Sequence, residues 1–198
     1  MQVTSTVFHD VELETRPGLV MTPRPATEHL VDRALDLVGD SRATIADVGT
    51  GSGAIAVVLA VGAPRAEVWA TDVSAEAAEL ARRNAIRQGV ADRVHVVLGD
   101  LLGPVPAPLD LVVANLPYLP WGVRGAPEYA DLADEPPAAL FAAQGGLEPY
   151  CRLLDQARDR LRPRGRLLVQ YRARMLEAAV EDLGAIRREL GVGIPVAA

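Results

Sequence analysis

The stretch Asp47-Val48-Gly49-Thr50-Gly51-Ser52-Gly53 decides the fold, because it joins a predicted buried strand to a predicted helix. The strand is Thr44–Val48, and the apolar run from Ala54 to Ala63 predicts the helix. Three closely spaced glycines let the backbone turn tightly and approach a ligand without a Cβ in the way. The first amides of the helix would face the same ligand. This unit is typical of nucleotide-binding α/β folds.

Strands and helices alternate on both sides of this stretch. The strands are nearly continuous in apolar residues, which predicts a mostly parallel, doubly wound sheet of the Rossmann-like α/β class. A first helix should end at Gly39. The later elements are strands at Glu67–Thr71, Arg93–Leu98, Leu109–Ala114 and Arg166–Tyr171, helices at Ser74–Gly89, Pro149–Leu161 and Met175–Leu183, and weak strands at Ala185–Leu190 and Gly193–Ala197.

Polar residues follow the predicted strands at the edge where such sheets bind ligands. Asp72 lies about 20 residues beyond the glycines, which suits a carboxylate that binds ribose hydroxyls. Gly99-Asp100-Leu101 could hold an adenine edge, and Asn115-Leu116-Pro117-Tyr118 follows the fourth strand. Gly49, Gly51 and Ala54 also satisfy a dehydrogenase pattern, but a nicotinamide enzyme would leave the tetrad at 115–118 unexplained.

These residues together resemble the class I S-adenosylmethionine-dependent methyltransferases. Two further stretches resemble the release-factor glutamine methyltransferases, the HemK/PrmC family. They are Pro23-Arg-Pro-Ala-Thr-Glu28 and Glu135-Pro-Pro-Ala-Ala-Leu140, the second followed by Gly145-Gly-Leu and Tyr150. The resemblance runs from about Pro23 to Gln170.

The resemblance implies a seven-stranded methyltransferase fold, S-adenosyl-L-methionine as cofactor, and a protein substrate with an acceptor glutamine. It also implies a role for each motif. The implied cofactor site comprises Asp47 at the amino group, Gly49, Thr50, Gly51 and Gly53 at the methionine part, Asp72 at the ribose, Asp100 and Leu101 at the adenine, and Asn115 beside them. The implied acceptor site is Asn115, Leu116, Pro117 and Tyr118.

The chemistry of an amide acceptor fits the tetrad. An amide nitrogen is a poor nucleophile because its lone pair is delocalised into the carbonyl. Accepting both N–H bonds would orient that nitrogen and stabilise the charge that develops on it. Asn115 offers a side-chain oxygen, and Leu116 offers a carbonyl made rigid by Pro117. Tyr118 could pack on the planar amide and exclude water.

Two other interpretations stay open. Asn-Leu-Pro-Tyr also resembles the tetrad of ribosomal RNA adenine dimethyltransferases, which makes an adenine-N6 methyltransferase acting on RNA or DNA an alternative. A net charge of −6 weighs against it, and we interpret the arginines from Arg158 to Arg174 as a solvated face. A non-catalytic scaffold that only binds the cofactor is the third interpretation.

Bulk composition limits the remaining classes. The 198 residues predict a single catalytic domain, 1–198, with an irregular segment at 1–22 and without the family's helical N-terminal recognition domain. There is no lysine, which excludes Schiff-base chemistry. We expect a cytoplasmic monomer with no metal site and no membrane association. Trp121 and Arg124 should line the acceptor entrance; the structural residues should be His9, His29, His95 and Cys151.

Overall fold

The structure is a computed structural model that describes residues 3–172 and 174–191. Strands and α-helices alternate through most of them, with short 3-10 turns between. The strands are β1 (Thr4–Phe8), β2 (Val11–Thr15), β3 (Thr44–Val48), β4 (Glu67–Asp72), β5 (Val94–Leu98), β6 (Leu109–Ala114), β7 (Leu119–Pro120), β8 (Phe141–Ala142), β9 (Leu161–Tyr171) and β10 (Arg174–Ala179). The α-helices are α1 (Glu28–Val38), α2 (Ala54–Gly62), α3 (Ala75–Arg87), α4 (Pro137–Leu140), α5 (Glu148–Arg160) and α6 (Leu183–Glu189).

The main sheet has the strand order β10-β9-β6-β3-β4-β5. The strands from β9 to β5 are parallel, and β10 pairs antiparallel with β9 at the edge. This confirms the mostly parallel Rossmann-like sheet. Six of the seven strands that the resemblance implies lie within the described residues, and the predicted strand Gly193–Ala197 falls outside them.

Alternate residues of the central strands enter two separate cores, one on each face of the sheet. Ile45 and Val113 pack with α1 and α2, whereas Ala46 and Val112 pack with α5 and α6. Because successive side chains of a strand point to opposite faces, a fully apolar strand requires helices on both sides. The sheet is therefore doubly wound, as the sequence predicts.

The N-terminal segment is more ordered than predicted. Residues 1–22 were expected to be irregular with a β-prone piece at Thr4–Phe8; that piece is β1, and its antiparallel pairing with β2 was not predicted. Phe8 and Leu13 are buried in the core, and fully buried Asn84 ties the hairpin to α3. The Asn84 side chain accepts from the Glu14 amide at 2.8 Å and donates to the carbonyls of Glu14 and Ser52 at 3.0 and 2.8 Å. The hairpin thereby supports the glycine loop.

Two predictions near the C-terminus were wrong. Residues 175–183 were predicted as a helix, but the strand β10 covers most of them. Leu176 and Ala178 are buried on alternate positions against β9, and period-two burial overrides helix propensity. Residues 185–190 were predicted as a strand, but α6 buries Leu183 and Ile186 at helical spacing.

A substitution at Gly53 tests how closely α3 packs against the glycine loop. Its φ is +80°, and an added Cβ would lie 2.9 Å from the Ala81 Cα in α3. Gly89 is the matched control, with φ of +68° and nothing within 4 Å. We expect Gly53→Ala to lower the free energy of unfolding by about 1–3 kcal/mol more than Gly89→Ala. Urea unfolding measures both, and equal losses would contradict the close packing.

Candidate active site

A cavity of about 560 Å³ lies at the carboxyl ends of the parallel strands. Its volume is in the range of small-molecule sites. It brings together ten of the twelve predicted site residues: Gly49, Thr50, Gly51, Asp72, Asp100, Leu101, Asn115, Leu116, Pro117 and Tyr118. Asp47 and Gly53 do not line it. The wall also includes Val20 and Met21, which follow the N-terminal hairpin.

The three loop glycines serve different purposes. Gly53 permits close packing of α2 and α3, as described above. A Cβ on Gly49 would lie 2.7 Å from the Leu116 side chain, so this glycine makes room for the tetrad. Gly51 has φ of +55° and only Val20 nearby, at 3.9 Å, which leaves its face open to the cavity. Gly51 is thus the glycine that lets a ligand approach the loop backbone.

Asp47 supports the loop from behind. It is fully buried, and its Oδ2 accepts from the Thr50 hydroxyl at 2.6 Å and from the Ala56 amide at 3.1 Å. The other oxygen, Oδ1, is buried with no hydrogen-bond partner. Burial, with a smaller contribution from the charge of Asp72, raises the pKa of Asp47 from 3.8 to about 7, although the hydrogen bonds from Thr50 and Ala56 act to lower it. Asp47 therefore positions the loop and the first turn of α2 rather than lining the cavity.

Asp72 connects the loop to the next helix. Its two oxygens accept from the amides of Gly51 and Ser74, each at 2.9 Å. A carboxylate has about four acceptor positions, so Asp72 retains capacity for two hydroxyl groups. The predicted ribose contact is compatible with this geometry.

Asp100 lies at the cavity wall beside a partner that the sequence did not suggest. Its carboxylate forms an ion pair with Arg152 of α5, and Arg152 also contacts Glu148 at 3.1 Å. All three side chains line the cavity. No spacing signal links residues so far apart in the chain, so the Asp100–Arg152 pair required the tertiary structure. The arginine would have to share Asp100 with any adenine bound there.

Asn115 is oriented by a residue of the Pro23–Glu28 stretch. Its side-chain nitrogen donates to the hydroxyl of buried Thr27 at 3.0 Å. An amide nitrogen held in this way directs the amide oxygen to the opposite side of the group. Since Asn115 lines the cavity, Thr27 acts as a positioning residue for an acceptor oxygen.

The Leu116 carbonyl, the other predicted acceptor, already has a protein partner. The hydroxyl of Tyr150 lies 2.8 Å from the Leu116 oxygen and 2.5 Å from the Gln170 carbonyl oxygen. A phenol has one proton, so the two carbonyls share it. Burial raises the pKa of Tyr150 well above its usual value, which keeps this donor neutral. One lone pair of the Leu116 oxygen remains.

The stretches that carried the resemblance meet around the tetrad. Arg24 donates to the Asp131 carboxylate at 2.8 Å, and its guanidinium lies 4.0 Å from the Glu135 carboxylate. That Glu135 carboxylate also accepts from the Thr22 amide at 3.1 Å. The Gly146 backbone packs closely on Tyr118: a Cβ added to Gly146 would lie 1.9 Å from the Tyr118 carbonyl oxygen. These motifs therefore build the wall around residues 115–118.

Comparisons with known proteins agree with this site. The Methyltransferase small domain model matches residues 25–121. The release factor glutamine methyltransferase of Moorella thermoacetica is 41% identical over 189 residues, which are 92% of this chain and 65% of that protein. The ribosomal protein L11 methylase of Lactobacillus delbrueckii subsp. bulgaricus superposes with a TM-score of 0.55 at 25% identity, over 77% of this chain and 63% of that one. This chain has the fold of the class I methyltransferases.

The fold extends to more distant methyltransferases. The Thermus thermophilus 16S rRNA N2 G1207 methyltransferase, solved with AdoMet and guanosine, has a TM-score of 0.60 at 18% identity. The match covers 85% of this chain and 41% of that one, and it shows the fold alone. The chain spans about half to two thirds of the length of the curated relatives it matches. The predicted resemblance to release factor glutamine methyltransferases is confirmed.

The mouth of the cavity is partly aromatic. Trp121 lines it, is 50% exposed, and stacks on Phe141 with ring centroids 5.3 Å apart. The Arg124 guanidinium lies 6.0 Å from the Trp121 ring but does not line the cavity. Trp121 is therefore placed at the entrance as predicted, and Arg124 only supports it.

His9 and His95 pair with acidic side chains away from the cavity. His9 lies 2.8 Å from Asp32, and this contact raises the pKa of His9. His95 lies 2.7 Å from Glu67, and neither ring lines the cavity. Within residues 3–172 and 174–191, no group of three histidine, cysteine or acidic side chains is placed to hold a metal. In the same part of the chain, no helix is long and apolar enough to cross a bilayer.

Three of the seven arginines from Arg158 to Arg174 pair with acidic side chains. Arg162 pairs with Asp110 at 3.2 Å. At the same distance, Arg166 pairs with Glu177 and Arg174 pairs with Glu189. The pairings fit the interpretation as a solvated face.

The raised pKa of Asp47 predicts that the free energy of unfolding depends on pH. The unfolded chain releases the Asp47 proton near pH 4, whereas the folded chain holds it to about pH 7. Between these values the folded state binds more protons, so raising the pH destabilises it by up to about 4 kcal/mol through this group. The isosteric variant Asp47→Asn should lack this decline.

The measurement is urea unfolding of wild type and Asp47→Asn at intervals from pH 4 to 8. The difference between the two proteins isolates Asp47 from the other carboxylates. A difference that is constant across this range would contradict a raised pKa.

Proposed function

We propose that this protein transfers a methyl group from S-adenosyl-L-methionine to the side-chain amide nitrogen of a glutamine in a protein, with a translation release factor as the substrate class. The observation that carries the proposal is the Asn115 amide, oriented by Thr27 beside the glycine loop in one cavity. The 41% identity to a release factor glutamine methyltransferase supports the choice of acceptor.

The cavity residues fit the cofactor. The open face of Gly51 leaves the loop backbone accessible, and Asp72 and Asp100 place carboxylates along the same wall. Acidic side chains suit a ligand with a cationic sulfonium and a cationic amino group. Asp72 would hold the ribose hydroxyls, Leu101 and Asp100 would border the adenine, and Gly49, Thr50 and Gly51 would border the methionine part. When bound, S-adenosyl-L-methionine supplies a methyl group to the acceptor lone pair, while the sulfur keeps the electron pair of the broken bond and the nitrogen releases a proton to water.

The tetrad would hold the acceptor. The oxygen of Asn115 accepts one N–H bond of the amide, and the free lone pair of the Leu116 carbonyl faces the same group. Each accepted N–H fixes the direction of the nitrogen lone pair and stabilises the positive charge that develops on nitrogen. Positioning of this kind can supply about 7–11 kcal/mol of barrier lowering in the best cases. Tyr118, whose ring packs edge-on at 6.0 Å from Tyr171, would cover the planar amide.

The remaining predictions belong to the same proposal. We propose that residues 1–198 act as one catalytic domain, and that a protein substrate is recognised through surfaces additional to the cavity. The monomeric state and the cytoplasmic location stay predictions. The paired arginines favour a protein over a nucleic acid as acceptor.

A transfer assay with labelled S-adenosyl-L-methionine tests the acceptor. A purified bacterial release factor should take up label that is sensitive to protease and resistant to nuclease, and mass spectrometry should place one methyl group on a glutamine. A release factor with that glutamine replaced by alanine is the control. Label in the nucleic-acid fraction would favour the adenine alternative, and cofactor binding without transfer to any acceptor would favour the scaffold.

Two variants should separate acceptor chemistry from cofactor binding. Asn115→Ala should lower kcat by about 100-fold, because one acceptor of the reacting group is lost, with the Kd for S-adenosyl-L-methionine unchanged. Asp72→Ala should raise that Kd by about 10- to 100-fold, because hydrogen bonds to a charged group are lost.

Calorimetry gives the Kd values and the labelled assay gives kcat. A wild-type kcat in Asn115→Ala would show that the Asn115 side chain does not take part in methyl transfer. Unchanged cofactor affinity in Asp72→Ala would remove the predicted ribose contact.

A further inference from the structure

One side of the cavity wall is formed by residues 121–140, which follow the tetrad in the chain. Every residue that this segment contributes to the wall is apolar: Trp121, Leu132, Pro136, Ala138, Ala139 and Leu140. Tyr118 of the tetrad packs on a small hydrophobic cluster that includes Leu140 and Phe141. The apolar wall is therefore continuous with the predicted acceptor site. A glutamine side chain reaches that site only when the polypeptide that carries it lies across the cavity mouth.

Trp121 has a fixed position at this mouth. The short parallel pair of β7 and β8 places Leu119 opposite Phe141. Trp121 comes directly after β7, and its ring stacks on the Phe141 ring with an interplanar angle of 28°. A side chain that is already ordered loses little conformational entropy when a partner covers it. Trp121 is thus pre-organised to contact a ligand.

Half of the Trp121 side chain nevertheless faces water. The residue is 50% exposed, whereas Phe141 beneath it is buried. Covering the apolar surface of an indole is favourable, since that surface is removed from water. Tryptophan is also enriched among the residues that dominate the binding energy of protein interfaces. The exposed part of the ring is therefore a suitable contact for a partner that lies across the mouth.

Charge favours a polypeptide over a nucleic acid as that partner. Residues 121–140 contain one arginine, Arg124, and four acidic residues: Glu128, Asp131, Asp134 and Glu135. Asp131 and Glu135 face an arginine outside the segment. Glu128 and Asp134 are exposed and form no ion pair within the part of the chain that the structure describes. Carboxylates at the mouth repel a phosphate backbone, which is the main source of affinity for nucleic-acid ligands.

We propose that Trp121 binds the polypeptide that flanks the acceptor glutamine, with its ring packed on the residues next to that glutamine. The flanking chain lies across the apolar mouth, and its binding energy helps to place the glutamine amide at the tetrad. This inference rests on the proposed function and adds a substrate-binding residue to it.

The test compares two substitutions of Trp121 with one control. Trp121→Ala removes the ring, and Trp121→Phe retains a smaller ring. Trp69→Phe is the matched control, because Trp69 lies in β4, packs on His95 and does not line the cavity. For each protein, kcat and KM are measured with a bacterial release factor and with a short synthetic peptide that contains its acceptor glutamine. Calorimetry gives the Kd for S-adenosyl-L-methionine, and urea unfolding gives the stability.

Tryptophan fluorescence gives a second readout that does not require turnover. Trp69 and Trp121 are the two tryptophans of the chain. Binding of the peptide should change the fluorescence of wild type and of Trp69→Phe, because a partner that covers an exposed indole changes its surroundings. The change should be absent in Trp121→Phe.

We expect Trp121→Ala to raise KM for the release factor and for the peptide by about tenfold or more, with kcat changed less and the Kd for the cofactor unchanged. Trp121→Phe should be intermediate, and Trp69→Phe should have wild-type kinetics. A purely structural role would instead lower the stability of Trp121→Ala and leave KM of the folded protein intact.

Three results would overturn the assignment of Trp121. They are a wild-type KM for both substrates in Trp121→Ala, a peptide-dependent fluorescence change that persists in Trp121→Phe, and a loss that only follows weaker cofactor binding. A fluorescence change with a single-stranded oligonucleotide and none with the peptide would assign the ring to a nucleic acid instead. Peptide binding at Trp121 without methyl transfer would reject the proposed function and leave the polypeptide contact in place.

Discussion

The buried hydroxyl of Tyr150 joins the ends of β6 and β9, and the geometry of the acceptor end of the cavity depends on it. One phenol proton is shared by the carbonyls of Leu116 and Gln170. Leu116 lies two residues beyond the end of β6, and Gln170 is the residue before the last one of β9. Burial raises the pKa of Tyr150 well above its usual value, so the phenol stays protonated at neutral pH. The chain after β6 and the end of β9 are thereby held together.

Charge divides the cavity into two parts. Asp72 and the ion pair of Asp100 with Arg152 supply charged groups on the side of the glycine loop, whereas Asn115 supplies a neutral amide at the acceptor end. Acidic groups suit a cationic methyl donor, and neutral acceptors suit a neutral NH₂ group without fixing a proton. This division is the physical basis for assigning a donor side and an acceptor side within one continuous pocket.

Several motifs work by supporting others rather than by touching a ligand. Thr27 orients Asn115, Gly146 allows close approach to Tyr118, and Asp47 holds the loop from a buried position. The ion pair between Arg24 and Asp131 joins two stretches that lie far apart in the chain. A shared motif in this methyltransferase fold can thus reflect the positioning of a neighbour, and only contacts decide which.

The sequence by itself determined the parallel sheet, the glycine loop and the order of the strand-end residues, because local periodicity and glycine spacing encode them directly. It also pointed to Asn115 and to the NH₂ chemistry of the tetrad. It misjudged the hairpin of residues 4–15, the strand β10 and the helix α6, where pairing with distant residues outweighs local propensity. Only the tertiary structure decided that Asp100 pairs with Arg152, that the Leu116 carbonyl is partly occupied, and that Trp121 stacks on Phe141 with half of its surface exposed. These facts depend on strand register and on burial, which no single stretch of sequence contains.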